Sequence, residues 1–94
     1  MRSAIMVDFG STYTKVVCVD LTEKKLIRAG SFPSTVRTDA RINVEQCLRF
    51  AGETIGQQNL EQALKLCSSS AAGGLRMAVI GLTDRLSFVA GRNT

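Results

Sequence analysis

The sequence predicts a mixed α/β fold: a three-stranded antiparallel meander followed by a helix and further strands. Three observations carry this. The first third of the chain holds three short apolar or β-branched runs, separated by turn signals too short for a crossover helix. The middle holds apolar residues recurring at helical spacing. A further apolar run of strand length, Met77-Ala78-Val79-Ile80, follows a stretch of small residues.

Taken in order, Ala4-Ile5-Met6-Val7 reads as a buried strand that enters a turn at Asp8-Phe9-Gly10-Ser11. Lys15-Val16-Val17-Cys18-Val19-Asp20 is a second strand, because successive valines crowd a helical turn and suit a pleated sheet. Thr22-Glu23-Lys24-Lys25 is a polar turn, and residues 26–32 form a third strand ended by Pro33. Residues 34–41 are polar and read as a loop. Val44, Cys47, Leu48, Ala51 and Ile55 then share one helical face, while Glu45, Arg49 and Glu53 make a charged outer edge. Asn43 followed by Gln46 fits a capping box, Gly56 is a natural stop, and Gly52 marks a close approach.

Residues 60–67 are compatible with helix or strand, and a short strand over residues 63–67 is the better fit. Residues 68–74 read as a small-residue loop and residues 75–81 as another buried strand. Thr83-Asp84 could cap a helix that starts near Arg85 and runs to the end of the chain. Lys65 and Arg76 are most simply surface charges.

With 94 residues, 45% of them hydrophobic and 21% charged, the chain is one small domain or part of one, and not a disordered segment. The net charge of +4 is scattered from Arg2 to Arg92, with one tyrosine and no tryptophan, which argues against nucleic acid as the main partner. Cys18, Cys47 and Cys67 are far apart and the chain has no histidine, so neither a zinc site nor a disulfide framework is expected. Buried thiols in a reducing cytoplasm are the expectation. Asp8 interrupts the first apolar run too early for a signal peptide, and no run reaches the roughly 18 apolar residues of a membrane span.

The residues that carry chemistry are Asp8-Phe9-Gly10-Ser11-Thr12-Tyr13-Thr14-Lys15. A strand delivers a carboxylate to a turn of glycine and small hydroxyl residues, and a second strand leaves carrying a lysine. Glycine lets the backbone approach a phosphate, and successive N–H groups in a tight turn form an anion-binding nest. The Ser11 and Thr12 hydroxyls add donors, Lys15 adds a point charge, and Asp8 is suited to Mg²⁺ held partly through water. Tyr13 completes the candidate set, although Tyr13 and Thr14 could equally pack or face solvent. A Walker A loop is excluded, since it needs a second glycine and a helix after the loop. A lone Asp-x-Gly would suggest no more than a hairpin turn; the longer motif favours phosphate.

This segment resembles the first phosphate loop of the actin, Hsp70 and sugar-kinase ATPase superfamily. The order strand, strand, strand, helix, strand is similar to the first half of one of its ribonuclease-H-like domains. A narrower resemblance is to the glutamate mutase-associated MutL family. Its members share a start like residues 7–16, a proline–threonine loop like Phe32-Pro33-Ser34-Thr35-Val36, and a serine–alanine–glycine run like that of residues 69–77. The resemblance implies an actin-like ATPase with ATP or ADP and Mg²⁺ as ligands. It also implies an adenosylcobalamin-dependent mutase as partner, which the protein would reactivate or maintain.

Family members are several times longer, so residues 1–94 are expected to be the N-terminal part of an ATPase domain, supplying one wall of a two-domain cleft. No catalytic residue is assigned within them. Two alternatives stay open. One is a sugar or metabolite kinase of the same superfamily. The other is a stand-alone, non-catalytic binding module, which could form a homodimer through an exposed sheet edge.

Overall fold

The computed structural model describes residues 1–70, 76–80 and 88–91, the last two stretches as backbone strands. The elements run β1 (Ser3–Phe9), β2 (Tyr13–Asp20), β3 (Lys25–Pro33), α1 (Ala40–Ile55), α2 (Gln57–Gln62), β4 (Leu64–Ser69), β5 (Arg76–Ile80) and β6 (Phe88–Gly91). The strands form one sheet in the order β3-β2-β1-β4-β5-β6. The predicted meander is present, with β1 antiparallel to β2 and β2 antiparallel to β3. The helices carry the chain from β3 back to the far side of β1, where β4 pairs parallel to it. β5 and β6 extend the sheet antiparallel. The mixed α/β class is therefore the one expected.

Strand alternation divides the sheet into two unlike faces. Ile5, Val7 and Phe9 of β1, Val16 and Cys18 of β2, and Cys67 of β4 pack against Val44, Cys47, Phe50, Ala51 and Ile55 of α1 and Leu60 of α2. Full burial of each larger side chain here contributes roughly 1.5–3 kcal/mol. The predicted helical face is thus the buried one, with Leu48 partly buried beside it. Phe50 belongs to the same core. Its ring lies over β3 so closely that a Cβ on Gly30 would sit 2.6 Å from Cε2. Phe32 meets the ring edge-on, with centroids 6.3 Å apart, and the Arg28 guanidinium carbon lies 4.3 Å from the ring centroid. Gly52 faces Leu60, where a Cβ would be 3.5 Å from Cδ2, an ordinary van der Waals contact, so the approach expected there is not close enough to require glycine.

Several expectations are refined or corrected. The helix starts earlier, with Asp39 as N-cap: its backbone is extended and its side chain accepts from the Arg41 N–H. Asn43 is not a cap; it lies inside α1 and is fully buried. The short strand favoured over residues 63–67 is present as β4, and the residues before Ala63, where the backbone turns extended, form α2. Lys65 is not a surface charge. It is 8% exposed, its Nζ donates to the Ala63 carbonyl at 3.3 Å, and burial lowers its pKa against the weaker upward pull of Glu61. The helix expected from Arg85 gives way to strand at β6, where Phe88-Val89-Ala90 suit a pleated edge and pair with β5.

The predicted loop at 68–74 also starts later than expected, because Ser68 and Ser69 still belong to β4; residues 71–75 lie outside the described residues. The three cysteines are buried as thiols. Burial pushes the Cys47 thiol up to about 11, helped by the nearby Cys18, and raises Cys18 as well. Among the described residues no helix is long and apolar enough to cross a membrane.

Candidate functional site

Gly10, Ser11 and Thr12 connect β1 to β2. The Gly10 N–H donates to the Tyr13 carbonyl at 3.1 Å and closes the hairpin. A Cβ at position 10 would collide with that same carbonyl oxygen, so glycine is required by the tightness of the turn. Outside the strand ladders, none of the hydrogen bonds among the described residues uses the N–H of Ser11, Thr12 or Tyr13. Ser11, Thr12 and Tyr13 are all exposed. Three consecutive backbone donors at a solvent-facing turn are material for an anion site, although no residue of the turn has the positive φ of a left-handed nest.

Asp8 and Lys15 stand directly opposite each other across β1 and β2. Both belong to the set of positions that alternates away from the helices, and Asp8 is half-buried. On that face Met6, Val17 and Leu66 line a hollow of about 300 Å³ together with Asp8, Lys15 and Ser68. Asp8 also pairs in register with Ser68 on the parallel strand. Asp8 Oδ1 accepts from the Ser68 hydroxyl at 3.2 Å and from the Ser70 hydroxyl at 3.5 Å. These bonds orient the carboxylate and do not use Oδ2. Among the described residues no group of three or more metal-ligating side chains converges. One oriented carboxylate suits a Mg²⁺ that keeps most of its water and shares phosphate oxygens, and does not suit an all-protein cage.

The other side of the hairpin is tied down. Thr14 points under the helices and is fully buried, and its hydroxyl donates to Asn43 Oδ1 at 2.9 Å. The same oxygen accepts from the Thr35 N–H at 2.7 Å. Asn43 Nδ2 donates to the Pro33 carbonyl at 3.1 Å and to Gln46 Oε1 at 2.9 Å. Both amide hydrogens and the carbonyl are thereby satisfied, the condition under which a buried amide is tolerated. Ser34 reaches the turn itself: its hydroxyl donates to the Gly10 carbonyl at 2.6 Å and its N–H to the Thr12 carbonyl at 2.9 Å.

All six predicted residues, Asp8, Gly10, Ser11, Thr12, Tyr13 and Lys15, therefore fall on one hairpin, the first and last of them beside one hollow. Sequence reasoning missed Ser34, Asn43 and Ser68 as parts of its surroundings, while Ser70 belongs to the serine–alanine–glycine run, for which a direct nucleotide or partner contact is the alternative to a plain loop. Asn43 had a signal: it lies four residues before Cys47 on the apolar face of the helix, where a polar side chain calls for a buried partner. Ser68 had none, because its closeness to Asp8 depends on the parallel pairing of β1 with β4.

Comparison with known proteins places these features in a family. No solved structure gives a significant match. Protein MutL of Clostridium tetanomorphum is 32% identical over 87 residues, covering 93% of this chain and 19% of that protein. The chain thus spans about a fifth of the length of the relative it matches. A model of the MutL protein family matches residues 4–94, a stretch that takes in the hairpin turn, the Pro33-Ser34-Thr35 segment behind it and the serines beside Asp8. The chain belongs to the MutL protein family.

Proposed function

We propose that residues 1–94 are the N-terminal, phosphate-binding part of an ATP-dependent accessory protein. Its partner would be an adenosylcobalamin-dependent mutase, such as glutamate mutase, which it reactivates or maintains. The observation that carries the nucleotide reading is the hairpin turn, where three adjacent N–H groups have no partner outside the strand ladders among the described residues and a carboxylate and a lysine flank one side. The Ser11, Thr12 and Tyr13 amides would hold the terminal phosphates of ATP or ADP, with the two hydroxyls as further donors and Lys15 offsetting their charge. Asp8, oriented by Ser68, would hold Mg²⁺ through water, and that ion supplies charge neutralisation on the phosphates when bound. The mutase partner rests on family membership and on the motifs the chain shares with that family.

The nucleotide reading is tested in the full-length protein by titrating MgATP against the wild type and Asp8→Ala. Loss of affinity and hydrolysis in the variant is expected, and unchanged values would reject the assignment. The accessory role is tested by adding the full-length protein and MgATP to glutamate mutase that has lost activity in turnover. Recovery of mutase activity supports it. Phosphorylation of a sugar in a substrate panel would instead make the protein a kinase. Melting that ignores nucleotide altogether would favour a binding module without catalysis.

A further inference from the structure

We infer that Ser34 is the positioning residue of the phosphate turn. The inference rests on the nucleotide reading above and names a residue outside the Asp8 to Lys15 motif. Ser34 holds two carbonyls of the turn at once, Gly10 through its hydroxyl at 2.6 Å and Thr12 through its N–H at 2.9 Å. The peptide bonds are trans, so each carbonyl and the N–H of the next residue point in opposite directions. Fixing the Gly10 carbonyl toward Ser34 therefore turns the Ser11 N–H away from it. Fixing the Thr12 carbonyl does the same for the Tyr13 N–H. One residue thus sets the direction of two of the three donors offered to an anion.

The geometry also shows what the hydroxyl prevents. Gly10 and Tyr13 face each other across the turn, and the Gly10 N–H already donates to the Tyr13 carbonyl. In a tight hairpin the return bond, from the Tyr13 N–H to the Gly10 carbonyl, would close the same ring and consume a donor. That bond is absent among the described residues, and the Gly10 carbonyl is instead bonded to Ser34. Ser34 thereby keeps the Tyr13 N–H available. It is itself held in place by its neighbour Thr35, whose N–H donates to buried Asn43 and whose hydroxyl donates to the Asp39 carbonyl. The turn is braced from the helix side while its donors face out.

The test uses the full-length protein with MgATP and MgADP, comparing the wild type with Ser34→Ala, Ser34→Thr and Ile55→Val. The last trims the core at the far end of α1 and controls for stability alone. Ser34→Ala should weaken nucleotide binding about three- to tenfold, the scale of one hydrogen bond. Ser34→Thr, which keeps the hydroxyl, should restore affinity to within about twofold, a change too small to count as a lost hydrogen bond. Ile55→Val should lower the melting temperature and leave the dissociation constant of the folded protein unchanged.

Wild-type affinity in Ser34→Ala, alongside lost affinity in Asp8→Ala, overturns the inference and leaves the nucleotide reading standing. Equal weakening in Ser34→Ala and Ser34→Thr also overturns it, since the hydroxyl is then not the cause. Absence of nucleotide binding by the wild type overturns both.

Discussion

Replacing Asn43 with alanine should be among the most damaging single changes in the described core. The side chain is fully buried and takes part in four hydrogen bonds, to Thr14, Thr35, Pro33 and Gln46. Each bond contributes a net ~1 kcal/mol, and a buried group left without its partner costs about 1–3 kcal/mol. Gln46 is half-exposed and can turn to water. The Thr14 hydroxyl is fully buried and cannot, while Thr35 is half-buried and Pro33 exposed. The sum is about 3–5 kcal/mol, a large share of the roughly 5–15 kcal/mol that holds a typical domain together. Urea unfolding followed by circular dichroism reads this as a fall in the midpoint at unchanged slope. Thr14→Val removes one of the four bonds and should cost about 1 kcal/mol. The double variant should show a coupling of about 1 kcal/mol, because the bond can be lost only once. An Asn43→Ala cost below about 1 kcal/mol, or strict additivity with Thr14→Val, would refute the idea that this amide ties the hairpin to the helix.

Two further predictions concern the core. Gly30→Ala should force the Phe50 ring aside and cost about 1–3 kcal/mol, measured by thermal melting; pairing it with Phe50→Leu should recover part of that loss, and no recovery would mean the ring is not the obstacle. Stability should also fall in alkali: the folded Cys47 thiol keeps its proton to about 11 whereas the unfolded one releases it near 9.0, so its contribution is present below pH 9 and lost as pH rises toward 11. The two-unit gap corresponds to about 2–3 kcal/mol, Cys18 acts in the same direction, and Cys47→Ala should flatten the decline in melting temperature over this window; an equally steep decline in the variant would reject the assignment.

What the sequence made legible follows from the range of the forces involved. The meander, the helix and the hairpin turn rest on local patterns: runs of valine, helical spacing of apolar residues, and glycine beside small hydroxyls. Phe50 fits the helical face but not its main stripe, and its value comes from Gly30 on another element. The N-cap at Asp39 was hidden by the capping-box spacing of Asn43 and Gln46. Those two side chains do bond to each other, but inside the helix. Short α2 escaped notice because six residues cannot establish a period, and Gly56 read only as the end of a helix. The tail was misread because edge strands depend on a neighbouring strand that sequence does not reveal, and β6 has one in β5. At the site the motif was complete, but its supports were not visible. Ser34 and Asn43 come from β3's far end and from α1, and Ser68 arrives from 60 residues away.

That last separation has a consequence for how the site comes into being. The turn itself belongs to a local hairpin, and contacts close in sequence can form early and cheaply. The bond from Ser68 to Asp8 needs β4 to cross beneath the helices and align parallel to β1, a non-local event that follows loop closure. The amide donors can thus exist before the carboxylate is aimed. A nascent chain or a misassembled sheet would carry the proposed phosphate turn without an aimed carboxylate, and the complete site would be reserved for chains whose sheet has closed.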